Sequence, residues 1–172
     1  MLNRLKIGPK IGSGFALGLA IFSIVGVIAY RGTHQLINSA REETHTYQVL
    51  SKLEEILSLT KDAETGQRGY ILTGESRYLE PYQVASGQLE QKVRDVKQLT
   101  KDNSSQQRSL EALEPLVSNK LAELKETIDL RRTIGLEAAL VVIRSDRGKQ
   151  LMDEIRRMIG QMEVKERTLL RL

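Results

Sequence analysis

Apolar residues follow two regimes along the chain. From Ile11 to Tyr30 they form a run of twenty residues without a charge, and from His34 onward they recur every three or four residues among polar ones. The run holds Leu17, Leu19, Ile21, Phe22, Ile24, Val25, Val27 and Ile28, so a helix over it has no polar face. At 1.5 Å per residue such a helix is ~30 Å long, the thickness of a bilayer's hydrocarbon core. A fully buried soluble helix of this kind needs a larger protein around it than this chain supplies. A cleaved signal peptide has a shorter apolar stretch and a small-x-small cleavage site, and Val27-Ile28-Ala29-Tyr30-Arg31 contains none of quality. The pattern therefore predicts a transmembrane helix over 11–30, with a basic tip over 1–10.

Helical periodicity governs the rest. Val49, Leu50, Leu53, Ile56, Leu57, Ala63, Tyr70 and Ile71 predict a first long helix over 33–73, closed at Gly74. Tyr82, Ala85, Leu89, Val93, Val96 and Leu99 predict a second over 76–101. Its start is open between Ser76 as the cap and Glu80, because Pro81 fits best in a first turn. Ser104 with Gln107 reads as a capping box for a third helix over 104–133, closed at Gly135. A fourth runs over 136–172, with Ser145-Asp146-Arg147-Gly148 as a kink or a short interruption within it. No useful length alternates with a strand's period. The expected fold class is all-α: an N-terminal transmembrane helix continuing into an antiparallel four-helix bundle, up-down-up-down, over residues 31–172. Residues 74 and 135 should then lie at one end of the bundle. Tyr70, Ile71 and Tyr78 should pack near Ile134, Leu136 and Ala139, with residue 103 at the opposite end.

Charge changes the picture by where it lies. The formal net charge is +4, but Arg4, Lys6 and Lys10 supply +3 of it before the apolar run. Residues 31–172 hold 23 basic against 22 acidic side chains, interspersed, which is no nucleic-acid footprint. The basic flank predicts that the N-terminus lies in the cytoplasm and residues 31–172 outside it. Gly14 and Gly18 have the spacing that lets two membrane helices approach, although glycine is common in such helices anyway.

Little supports catalysis. The chain has no cysteine and two histidines, so thiolate chemistry, haem and zinc ligation lack their ligands. A di-iron bundle needs two Glu-x-x-His motifs, and only Glu42-x-x-His45 occurs. No hydrolase elbow, phosphate loop or metalloprotease spacing is present. We read the chain as non-enzymatic, without cofactor or metal.

Asp62-Ala63-Glu64-Thr65-Gly66-Gln67-Arg68-Gly69-Tyr70-Ile71-Leu72-Thr73-Gly74, continuing through Tyr78-Leu79-Glu80-Pro81-Tyr82, resembles the signature of the CHASE3 family of extracytoplasmic sensory domains. The resemblance continues through Leu99–Asn103, Lys120-Leu121, Gly148–Asp153 and Glu166–Leu170. It implies a helical bundle between two membrane helices. The implied output is a histidine kinase, a cyclic-dinucleotide enzyme or a chemotaxis-type module. The sequence stops at Leu172, where a second membrane helix is expected, which suggests a fragment or a natural truncation. The resemblance also implies a homodimer and an unidentified extracytoplasmic ligand or protein.

Within the motif, Glu64 and Arg68 have the better orientation for an i, i+4 ion pair. Gly66 and Gly69 are poor helix formers whose small size admits another helix. Gln67 shares a face with Leu53, Ala63 and Tyr70, which makes it an interior polar group in need of partners. The candidate residues are Asp62, Glu64, Gly66, Gln67, Arg68, Gly69, Tyr70, Thr73, Gly74 and Tyr82, as a signal-receiving locus or as a network that fixes helix register. Tyr70, Tyr78 and Tyr82 read as packing at the bundle's end rather than as a cofactor box. Two functions follow: an input module passing a signal through the first and fourth helices, or a membrane-anchored scaffold without an output.

Overall fold

The computed structural model describes residues 7–169, and these form helices joined by short turns, with no strand among them. The expected basic tip falls mostly outside the described residues, as do the last three residues of the expected fourth helix. The helices are α1 (Ile7–Thr73), a 3-10 turn (Ser76–Leu79), α2 (Glu80–Leu99), α3 (Ser104–Thr133), α4 (Leu136–Arg144) and α5 (Arg147–Leu169). The chain forms two compact units, Met1–Thr44 and His45–Leu172.

In the first unit the apolar side chains of α1 point outward. Phe15, Phe22 and Ile28 are among many that are well over half exposed, and Gly14–His34 is long and apolar enough to cross a membrane. Tyr30 and His34 stack edge to face with ring centroids 4.4 Å apart.

The second unit has a core of aliphatic residues at helical spacing. Val49, Leu53, Ile56 and Ala63 of α1 meet Ala85, Leu89, Val93 and Val96 of α2. Leu110, Leu113, Val117 and Leu124 of α3 and Ile155, Ile159 and Met162 of α5 complete it. Each such leucine or isoleucine removed from water contributes about 1.5–3 kcal/mol. A second cluster joins Tyr70, Ile71, Leu79, Ile128 and Ala139, with Leu136 packed against it. Tyr78 and Ile134, expected in this cluster, are exposed instead. Tyr78 leaves it because its ring lies across the Gly69 face of α1.

The turns depart from the expected ones in two places, at the start of α3 and at the start of α2. Asn103, not Ser104, caps α3: its side chain accepts from the backbone N–H of Ser105 and Gln106, both at 3.1 Å. The Gln107 side chain does not reach back as in a capping box but donates to Lys97 O and the Thr100 hydroxyl, each at 2.9 Å. The second helix begins with a 3-10 turn, so that Glu80 and Pro81 open α2 and neither Ser76 nor Glu80 is its cap. The fourth helix is two, α4 and α5, because Asp146 adopts φ +59° between them. Gly74 (φ +75°) and Gly135 (φ +128°) end α1 and α3 in the left-handed region that suits glycine. They lie near one another, since Arg131 donates from Nε to Ile71 O at 2.9 Å and flanks Gly74.

Candidate functional site

The motif of α1 splits between two faces. Gly66 and Gly69 lie beneath the 3-10 turn and the start of α2. A Cβ on Gly66 would sit 2.7 Å from the Tyr78 carbonyl oxygen, and one on Gly69 the same distance from Tyr78 Cδ1. Only glycine leaves room for that crossing. Thr73 donates to Gly69 O at 2.8 Å and accepts from the Glu75 N–H, closing α1 ahead of Gly74. Tyr70 is buried in the second cluster, with Tyr82 half-buried against it. Burial pushes the Tyr82 phenol up, with Lys125 and Asp129 alongside. Asp62 is exposed.

The other face carries the charge. Gln67 is buried and donates from Nε2 to the Thr127 hydroxyl at 2.6 Å, while that hydroxyl donates to Leu124 O at 2.8 Å. Glu64 accepts from Arg68 at 2.5 Å through one oxygen, and its other oxygen lies 3.6 Å from Lys120 Nζ. Arg68 is two-thirds exposed, so it is not the interior cation. Lys120 is, at 2% side-chain exposure. Lys120 also donates to Glu123 at 3.0 Å and to Gly148 O at 3.1 Å. It thereby joins α1, α3 and the first turn of α5. Glu123, itself buried, presses its carboxylate against Gly148, where a Cβ would come within 2.7 Å.

This cluster floors a cleft between α1 and α5. An inner chamber of about 170 Å³ is lined by Gln67, Lys120, Glu123 and Asp146 together with Glu64, Arg68 and Lys149. An outer one of about 450 Å³ shares Glu64, Arg68 and Lys149 and adds Lys61, Asp153 and Arg156. Asp153 serves both Lys149, at 2.5 Å, and Arg156, at 2.9 Å. The Lys149 ammonium holds the Asp153 carboxyl below its ordinary range and is itself raised by it. Glu64, Gln67 and Arg68 are thus brought together, whereas the glycines and tyrosines of the motif act elsewhere. Lys120 and Lys149, which fall in stretches that carry the family resemblance, and Glu123, which does not, belong to the site although none is among the candidate residues.

His45 Nε2 lies 2.8 Å from Leu99 O, and among the described residues no three His, Asp or Glu side chains are placed to share an ion.

The second unit is thus a helical domain with a charged cleft, in a chain whose N-terminal part holds a helix long and apolar enough to cross a membrane. Residues 39–172 match the CHASE3 domain, and the chain belongs to that family. It is similar to the sensor domain of histidine kinase HK9 from Rhodopseudomonas palustris, with a TM-score of 0.65 and 25% identity over 72% of this chain and 97% of that one. No curated protein sequence matches significantly. The family is one of sensors rather than catalysts, and the chain is an extracytoplasmic sensory input domain of a signal-transduction receptor.

Proposed function

We propose that this domain is the input half of a bacterial histidine kinase, working as a parallel homodimer in the inner membrane with residues 31–172 outside. Its helices form an antiparallel four-helix bundle in which α4 and α5 together make the fourth member. The order of cross-helix contacts supports that arrangement: Gln106 reaches Glu166, Lys120 reaches Gly148, and Ile128 packs with Ala139. Numbers that rise along α3 meet numbers that fall along the partner. The signal leaves through α1 and α5 as a displacement of one against the other.

The observation that carries this reading is the buried ammonium of Lys120, placed at once against groups of α1, α3 and α5. A charge shared among three helices registers any change in their spacing, because a buried ion tolerates lost partners poorly. The test is a chimera in which this chain precedes the second membrane helix and kinase core of a characterised receptor. Glu64→Gln should change autophosphorylation in membranes, and Glu90→Gln, on the exposed face of α2, should not. Identical activity in both variants and the parent chimera would refute the coupling.

A further inference from the structure

We infer that the cleft between α1 and α5 is a binding site for a small organic dianion, a dicarboxylate or a phosphate ester, held between Arg68 and Lys149. The inference rests on the sensory reading and gives it a ligand class. The outer chamber has the volume of a small-molecule site and presents four cations, Lys61, Arg68, Lys149 and Arg156, to two carboxylates, Glu64 and Asp153. Both carboxylates are already divided: Asp153 between two cations, Glu64 between Arg68 and Lys120. The wall is short of negative charge, and an anion supplies it.

Arg68 and Lys149 are the cations that line both chambers, one on α1 and the other at the start of α5. A ligand with two anionic ends can therefore engage both helices. Both cations are themselves two-thirds exposed, so each can turn from its present partner to a ligand's oxygens. The Lys149–Asp153 pair is exposed on both sides and therefore weak, while Arg68 leaves a Glu64 that is mostly buried. Arginine in particular suits carboxylate and phosphate through its two parallel N–H groups. Releasing Arg68 does not strand Glu64, because its second oxygen already faces Lys120 at 3.6 Å and can close on it. Closing that gap draws Lys120 from Glu123 and from Gly148 O. Occupancy on the outside is so converted into a change at the first turn of α5.

The test is calorimetric titration of the full chain in detergent micelles at low ionic strength with succinate, with inorganic phosphate, and with sodium chloride matched for ionic strength. Binding of succinate or phosphate with a Kd on the order of millimolar or tighter is expected, and which of them binds separates carboxylate from phosphoryl ligands. Arg68→Gln and Lys149→Gln should each weaken it about tenfold or more while leaving the thermal melt of the unliganded chain nearly unchanged. No heat beyond the chloride control, or equal binding by both variants, would overturn the inference. Kinase output of the chimera is read separately, so a failed titration removes the dianion and leaves the sensory coupling standing.

Discussion

Replacing Lys120 by methionine takes the cation from a place where Glu123 and most of Glu64 stay buried. Because Glu123 loses its cation and Glu64 keeps only Arg68, Lys120→Met should cost about 3–5 kcal/mol, and adding Glu123→Leu should recover much of it. Arg68→Ala, at the exposed end of the same network, should cost only ~0.3–0.5 kcal/mol. Urea melts of the full chain check all three, and equal losses for Lys120→Met and Arg68→Ala would contradict the burial described here. The glycines separate in the same way. Gly66→Ala meets the backbone of Tyr78 and should destabilise by about 1–3 kcal/mol, with Gly66→Leu worse. Gly87 in α2 has open space around its would-be Cβ, so Gly87→Ala should stabilise by up to ~1 kcal/mol. Titration adds a pH signature. Lys92 first, then Lys52, holds the Glu55 carboxyl below its ordinary 4.5. A lowered carboxylate contributes stability that is present above that value and fades as pH falls through the folded one. Melts taken through pH 5 to 3 should therefore show a shallower acid decline in Lys92→Ala. At the other limit, Tyr82 is raised by burial, so its contribution is complete below about pH 10 and is lost above it.

Helix α3 organises the second unit, and its inward stripe runs Gln106, Leu110, Leu113, Val117, Lys120, Leu124, Thr127, Arg131. The steps alternate four and three without a fault, the seam of a helix packed on others. Half of these positions are polar, and each polar one has a buried task. Gln106 meets Glu166, Lys120 gathers the ion cluster, Thr127 receives Gln67, and Arg131 closes the end of α1. The aliphatic members are legible in the sequence from their own spacing, and Gln67 from the face it shares with Leu53, Ala63 and Tyr70. Lys120 is not, although it stands three residues after Val117 and four before Leu124. A charge on an apolar stripe is the signal that was available. The Asn103 cap escaped for another reason: two serines follow it, and three adjacent residues each able to cap cannot be ordered without backbone angles. The tyrosines divide too: Tyr70 is buried on the face that its spacing from Ala63 and Ile71 marks, and Tyr78 lies across the glycine face. Arg131 gives the stripe a test. Its Nε–H satisfies a carbonyl in the last turn of α1 that has no partner within that helix. Arg131→Ala should therefore lower stability by about 1.5–3 kcal/mol, and hydrogen exchange should accelerate over residues 70–74 before it does so elsewhere.

The proposed topology and membrane placement bear on the assembly as a unit. A parallel homodimer predicts that single cysteines along residues 40–60 cross-link with helical periodicity, and a monomer in both membranes and detergent would refute it. Cysteine at exposed Ser86 or Ser118 should react with an impermeant thiol reagent in whole cells; reaction only after lysis would invert the orientation. Within the second unit, the break at Ser145–Asp146 separates what α4 does from what α5 does. Ala139 keeps α4 packed on Ile128, while α5 begins anew at Arg147 with Gly148 held by Lys120 and Glu123. Under the proposed coupling, such a helix serves as a lever with its fulcrum at Gly148. Over its 23 residues, about 35 Å, a tilt of only about 3° at Gly148 carries the far end roughly 2 Å sideways. A rearrangement confined to three charged side chains is then large enough, at the other end of the arm, to repack a helix against its neighbours.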